Sequence, residues 1–167
     1  MSHEHFHEPP DPALLTAAQW RAMRAFVLLG AIAIIAGGLM AAITRPAGVA
    51  AGAWVAAYLV LVVGVAQLGL GLGQALLAGG VTSLAYRRGE LALFNLGNLG
   101  VLVGTVAEVL ALVMAGGVIL LVSLLLFFAA VRRSRGHRRY LIVYRLLAAL
   151  IAVSIPIGLT MSVLRHG

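Results

Sequence analysis

Glu108 is the acidic residue of this chain that could do chemistry inside a membrane. It is the only one of the five acidic residues that lies within a long apolar run. A carboxyl group in that setting can take up and release a proton or hold a polar ligand, which makes it a functional candidate by default. The alternative is a structural role, in which the group is paired or protonated and has no part in a reaction. Glu90, by contrast, follows Arg87 and Arg88 and is interpreted as part of the boundary of an apolar run.

Amide and hydroxyl side chains form a second candidate group inside the apolar runs, namely Gln67, Gln74, Asn95, Asn98 and Thr105. At about 100° per residue, the two glutamines share one face of their helix, and the other three residues share one face of the next. In two neighbouring antiparallel helices, the residue numbers of any two residues at the same depth add up to the same total. Gln74 with Asn98 and Gln67 with Thr105 give equal totals, so both pairs are predicted to meet. We expect structural hydrogen bonds between the helices; the alternative is a hydrated path or polar ligand pocket, which requires unpaired amides.

Three histidines alternate with other residues in the first segment, MSHEHFHEPPDP. In an extended chain His3, His5 and His7 point to one face and could supply imidazole ligands to a divalent metal, with Glu4 and Glu8 nearby. The alternative is a solvated tail, or one that docks on a partner. Residues 1–11 are therefore predicted to be a His/Glu/Pro-rich cytoplasmic tail and a candidate metal site.

Several other chemistries are excluded by residue type. The chain has no cysteine and no lysine, so thiolate metal sites, disulfides and a Walker lysine are absent. No histidine lies inside an apolar run, so haem cannot be held between the helices by this chain alone. There is no HExxH motif and no Ser-His-Asp set. We predict no catalytic residue and no cofactor.

Composition places the chain in a membrane. It is 62% hydrophobic and 10% charged, with a mean hydropathy of +1.06, values outside the range of soluble domains. All twelve basic residues are arginine, which we interpret as the coding bias of a high-GC bacterium. The net charge of +7 does not indicate nucleic-acid binding, because the arginines lie at the ends of apolar runs, where they contact anionic headgroups.

The apolar runs predict five transmembrane helices in one domain, residues 25–164. The segment Thr44-Arg45-Pro46 ends the first helix, and Pro156 kinks the last. Between residues 91 and 131 there is no arginine, so two helices must be joined by a tight turn, predicted at Gly116-Gly117. The predicted spans are about 25–44, 50–78, 91–114, 118–133 and 140–164.

A short interfacial amphipathic helix is predicted before the first span, over residues 12–24. Asp11 or Thr16 can cap it. Trp20, Arg21 and Arg24 suit the headgroup layer. A cleaved signal peptide is the competing interpretation of the first apolar run. The run is long for a signal peptide, so we expect it to be a retained span.

The arginines also predict the orientation. With five crossings, nine of them share one side of the membrane, and Arg45 and Arg165 lie on the other. The positive-inside rule then places the N-terminus in the cytoplasm and the C-terminus outside. The predicted location is the bacterial inner membrane.

The basic loop after the fourth span is expected to contact lipids or a partner through Arg132, Arg133, Arg135, Arg138 and Arg139.

Glycine pairs at GxxxG spacing predict close helix packing at Gly69 with Gly73 and at Gly100 with Gly104. The GLGLG stretch is not a nucleotide-binding loop, because its spacing is not GxGxxG and no strand precedes it. The third span has a polar side and a small-residue side, so we expect it at the centre of the bundle or against a partner.

Three functions are compatible with these features. The leading hypothesis is a small non-catalytic subunit, accessory or structural, of a larger bacterial membrane complex, with energy transduction as one setting. The first alternative is a small oligomeric transporter or channel that uses Glu108 and the Gln/Asn ladder. The second is a membrane enzyme that acts on a lipid at the cytoplasmic face, although no acid, base or nucleophile lies beside the arginine cluster. The expected partners are anionic lipids and other membrane subunits.

Overall fold

The computed structural model describes residues 17–49, 51–77, 83–131, 141–142, 144–151 and 153. Every regular element within these ranges is a helix. The order is α1 (Ala17–Thr44), α2 (Gly52–Tyr58), a π-helical segment (Leu59–Val65), α3 (Ala66–Leu77), α4 (Leu84–Val106) and α5 (Leu110–Val131). Residues 141–142, 144–151 and 153 are also helical and are called the C-terminal segment. The predicted all-α fold is confirmed.

Four helices in the described ranges are long and apolar enough to cross a membrane. They are Met23–Thr44, Gly52–Leu77, Leu84–Val106 and Leu110–Val131. We call Gly52–Leu77 the second span; it comprises α2, the π-helical segment and α3. At 1.5 Å per residue each helix covers the ~30 Å of a hydrocarbon core. Most of the predicted fifth span lies outside the described residues.

The first helix ends where the sequence predicts. Thr44 is its last residue, and the Thr44 hydroxyl donates to the Met40 carbonyl at 2.7 Å. Arg45 and Pro46 follow in a turn, since a proline ring cannot continue the hydrogen-bond ladder. At its other end, α1 runs unbroken through residues 17–24, the described part of the predicted interfacial helix.

The second span changes helix type in its middle. The Ala66 N–H donates to the Leu61 carbonyl five residues back, which is the π-helical pattern. In a regular α-helix, nine residues at about 100° would place Tyr58 and Gln67 on opposite faces. A π-helical turn contains more residues and therefore rotates less per residue. The Tyr58 hydroxyl consequently reaches Asn98 of α4.

The turn predicted at Gly116-Gly117 is wrong, because both glycines lie inside α5. The chain turns at Ala107–Val109 instead, so α4 and α5 begin earlier than the predicted spans at 91 and 118. A Cβ added to Gly116 would lie 2.6 Å from the Val101 backbone nitrogen. Gly116 therefore allows the backbones of α4 and α5 to approach closely. The Gly116-Gly117 sequence by itself is compatible both with this packing and with a turn.

The glycines at GxxxG spacing contact two different neighbours. A Cβ on Gly100 would lie 3.0 Å from the Gly116 Cα of α5. In α3, a Cβ on Gly73 would lie 2.3 Å from the Tyr144 ring, and one on Gly69 would lie 2.7 Å from the Leu147 side chain. The C-terminal segment thus packs on the glycine face of α3.

An aromatic core joins the helices. Phe26 of α1, Phe94 of α4 and Phe127 of α5 are 2%, 0% and 0% exposed. The Phe127 ring meets the other two edge to face, with centroid distances of 5.7 and 6.1 Å, a favourable aromatic geometry. Tyr144 of the C-terminal segment belongs to the same buried cluster. The polar site described next lies against this core.

Candidate intramembrane carboxyl site

Glu90 is the acidic side chain that the structure buries. It lies six residues after Leu84, ~9 Å along α4, and is 0% exposed. Its Oε2 accepts a hydrogen bond of 2.7 Å from the Gln74 Nε2 of α3. Its Oε1 is buried and has no hydrogen-bond partner among the described residues. One oxygen of this carboxyl group is therefore held in place and the other is available.

Hydrogen bonds from hydroxyl groups join α4, α5 and the C-terminal segment at this level. Ser123 of α5 is fully buried, and its hydroxyl donates to the Glu90 backbone carbonyl at 3.2 Å. The Tyr86 hydroxyl donates to the Leu126 carbonyl at 2.8 Å. Tyr144 donates to a carbonyl on the next residue of α5, Phe127, at 3.2 Å. These bonds hold the backbone around the carboxyl group from three helical segments.

A single basic residue on α4 lies one turn before the carboxyl group. Arg87 is three residues earlier, a spacing that places two side chains on the same helix side. Arg87 is half-buried, and its charge acts on Glu90. The site therefore combines an acid, an amide donor and a nearby guanidinium at one end of α4.

Gln67 is a buried amide without a partner. It is 0% exposed, and neither its Nε2 nor its Oε1 has a hydrogen-bond partner among the described residues. It lies seven residues before Gln74, hence on the same face of α3 and ~10 Å further along the axis. An unsatisfied buried amide costs about 1–3 kcal/mol. Gln67 consequently offers a donor and an acceptor in the middle of the second span.

Asn98 and Tyr58 form a polar pair toward the other end of α4. The Tyr58 hydroxyl donates to the Asn98 Oδ1 at 2.8 Å, and the Asn98 Nδ2 donates to the Phe94 carbonyl at 2.8 Å. Asn98 is eight residues after Glu90, ~12 Å along the helix. The interior polarity therefore occurs at two depths: Glu90 with Gln74 at one, and Gln67 and the Asn98–Tyr58 pair ~10–12 Å further along at the other.

The predicted pairing of Gln74 with Asn98 and of Gln67 with Thr105 is wrong. Gln74 donates to Glu90, and Asn98 accepts from Tyr58. The predicted pairs are symmetric about residue 86, which lies inside α4, whereas α3 ends at Leu77 and α4 begins at Leu84. Along the sequence, Gln74 and Glu90 are the same number of residues from residue 82, which lies in the connection between α3 and α4. That symmetry is the sequence signal that could have identified Glu90.

The remaining polar candidates of α4 bond to their own helix. Asn95 Nδ2 donates to the Leu91 carbonyl at 2.8 Å, and the Thr105 hydroxyl donates to the Val101 carbonyl at 2.7 Å. Such bonds back to the preceding turn satisfy the side chain without a partner helix. Asn95 and Thr105 are therefore not part of the carboxyl site.

Glu108 lies in the turn between α4 and α5. It is exposed and has a φ of 58°, the left-handed region. The Val109 N–H donates to the Gly104 carbonyl at 2.8 Å, and the Ala107 N–H to the Val103 carbonyl at 2.8 Å. This is a Schellman-type helix end, in which Glu108 occupies the position that glycine usually takes. The structure therefore does not bring Glu108 together with the amides.

Other predicted site residues lie outside the described residues. These are His3, His5 and His7 of the tail and Arg132, Arg133, Arg135, Arg138 and Arg139 of the basic loop. Among the residues that the structure describes, no group of three or more His, Cys, Asp or Glu side chains could hold a metal ion.

Comparison with known proteins adds no relative. No protein-family model, curated protein sequence or solved structure matches this chain.

Proposed function

We propose that the protein is a small oligomeric transporter or channel in which Glu90 binds and releases a proton within the membrane. The observation that supports this proposal is the fully buried Glu90 carboxyl group, with one oxygen held by Gln74 and the other unpartnered in the described chain. Intramembrane carboxyl groups are rare and mark ion and proton pathways. Glu90 takes the role that sequence analysis assigned to Glu108.

The proposed route continues from Glu90 through Gln67 to Asn98 and Tyr58. The Gln67 amide has a donor and an acceptor without a partner among the described residues, and the Tyr58 hydroxyl donates a hydrogen bond to Asn98. Glu90 lies ~10 Å from the depth of Gln67 and ~12 Å from Asn98 along the helices, which exceeds one hydrogen bond. Water must bridge them while a proton moves, so the route is a hydrated one that opens during transport.

The proposed setting is the inner membrane of a bacterium, with five spans, the N-terminus in the cytoplasm and the C-terminus outside. Residues 17–24, which continue α1 without a break, reach the cytoplasmic headgroup layer in this setting. The arginine distribution supports this orientation, because nine of the twelve arginines lie on one side of a five-span chain. Glu90 then lies near the cytoplasmic end of α4.

A non-catalytic subunit of a larger membrane complex is the second candidate. Its support comes from α1, whose membrane-spanning part is 22% buried, the least of the four. Large apolar side chains recur on its exposed side at spacings of three and four residues: Leu28, Ile32, Ile35, Leu39 and Ile43. That spacing suits packing against a helix of another subunit. Purification in mild detergent tests this candidate, since a stoichiometric second protein is expected if it holds.

The transport proposal is tested with the purified chain in liposomes that contain a pH-sensitive dye. Under an imposed proton gradient and with a potassium ionophore, wild-type protein should acidify the lumen. Glu90→Gln should reduce this flux at least about tenfold, because an amide cannot carry a proton but keeps a hydrogen-bonding group beside Gln74.

The matched control is Glu108→Gln, which removes the same charge from the exposed turn. It should leave the proton flux within about twofold of wild type, since a surface charge contributes little. Wild-type liposomes no leakier than empty ones, or equal flux in the two variants, would contradict the proposal.

A further inference from the structure

A groove opens between the end of α1 and the start of the second span. Its volume is about 670 Å³. Small residues line it from both sides: Gly37, Gly38 and Ala41 of α1, and Ala53, Ala56 and Ala57 of the second span. An added Cβ on Gly38 would meet no atom within 4 Å. The groove is therefore an open apolar cleft on the outer surface of the helix bundle, away from Glu90.

The dimensions of the groove suit one lipid chain. It extends from Gly37 of α1 to Arg45 just beyond the end of that helix, eight residues or ~12 Å. A transmembrane helix of a partner would need a contact along most of the ~30 Å hydrocarbon core. The groove covers less than half of that depth, which matches the upper part of an acyl chain that continues into the bilayer.

A positive charge stands at the mouth of the groove. Arg45 lines it, is exposed, and immediately follows the last residue of α1. In the described part of the chain its guanidinium has no hydrogen-bond or ion-pair partner. Because α1 has no charged residue from Ala25 to Thr44, its C-terminal end must lie at the headgroup layer. Arg45 is thus at the depth of lipid phosphates, which guanidinium groups bind with two parallel hydrogen bonds.

We propose that this groove binds one anionic phospholipid, with an acyl chain between α1 and the second span and its phosphate on Arg45. The apolar walls of the groove suit the acyl chain, and the positive charge of Arg45 complements the negative charge of the lipid headgroup. The site is independent of the transport proposal, since none of its residues belongs to the Glu90 cluster.

Native mass spectrometry of the full chain tests this site. The detergent-purified protein is supplied with phosphatidylglycerol or with phosphatidylcholine of the same acyl chains. We expect one phosphatidylglycerol molecule per protein chain to remain bound at a collisional activation that removes phosphatidylcholine. Arg45→Gln should lower the bound fraction about tenfold, the loss of one charge-assisted interaction. Gly38→Leu should lower retention of both lipids, because its side chain fills the groove.

Two matched variants control for charge and bulk. Arg88→Gln removes a basic residue exposed at the other end of the bundle, and Ala42→Leu adds the same bulk on an exposed position outside the groove. Both should retain phosphatidylglycerol like wild type. Equal retention of the two lipids, equal losses for Arg45→Gln and Arg88→Gln, or no effect of Gly38→Leu would overturn the proposal. A protein chain that cross-links into the groove would also overturn it.

Discussion

The two ends of α4 carry one glutamate each, and their surroundings are opposite. At the Glu90 end, side-chain hydrogen bonds from Gln74 and Ser123 join three helices around a fully buried residue. At the Glu108 end, backbones of α4 and α5 touch through glycine, and the glutamate is exposed in the turn. The residue inside an apolar run lies at the surface, and the one beside two arginines lies in the core. Burial of an acid thus depends on where the helix begins and turns.

The largest effect is expected from Gly116→Ala, which disrupts the backbone contact at the Glu108 end. The new Cβ would lie 2.6 Å from a backbone nitrogen and 2.8 Å from two further backbone atoms of α4. Side-chain rotation cannot relieve this overlap. We expect a loss of about 3 kcal/mol in the free energy of unfolding, the upper end of overpacking effects. Circular dichroism during titration from mild detergent into sodium dodecyl sulfate measures it.

Gly89→Ala is the control for that variant. Gly89 is exposed on α4, and an added Cβ there would meet nothing within 4 Å. Alanine should stabilise the helix by about 0.5–1 kcal/mol. If both alanine variants changed stability equally, backbone approach would not be what holds the Glu108 end.

A smaller loss is expected at the Glu90 end from Gln74→Leu. The change removes the amide that donates to Glu90 Oε2 and leaves a buried acceptor without that partner. The expected cost is about 2 kcal/mol in the same unfolding titration. Replacing both residues, Gln74→Leu with Glu90→Leu, should recover most of it, because no polar group then remains to be satisfied. Additive losses in the double variant would show that the pair is not coupled.

At Glu108 itself, a small gain in stability is expected from Glu108→Gly. Glu108 has a φ of 58°, where a side chain costs roughly 1 kcal/mol and glycine costs none. The variant should therefore unfold at a slightly higher dodecyl sulfate fraction than wild type. Glu108→Ala keeps a Cβ and should show no such gain. A marked destabilisation by glycine would indicate that the Glu108 side chain has a structural partner.

Part of the fold followed from sequence alone. The C-terminal end of the first span was predictable, because Arg45 and Pro46 stop a helix and the residues before them are apolar. The turn after α4 was not, since Gly116-Gly117 serves close packing and a glutamate occupies the left-handed position of the real turn.

The candidate site was predictable only in its amides. Gln67 and Gln74 stood out as polar residues in an apolar run, and both are buried. Glu90 did not, because Arg87 and Arg88 made it resemble a boundary residue. A register error in the α3–α4 pair then assigned Gln74 the wrong partner. The π-helical segment, which allows Tyr58 to reach Asn98, has no signal in residue type that we recognise.

Composition and the spacing of apolar runs determined by themselves that this chain is a helical membrane protein with interior amides. Those properties depend on transfer free energy and helix periodicity, which each residue contributes locally. Which glutamate is buried was decided only by tertiary structure. It depends on where α3 ends, where α4 turns and how closely α4 approaches α5, and these follow from contacts between residues far apart in the chain.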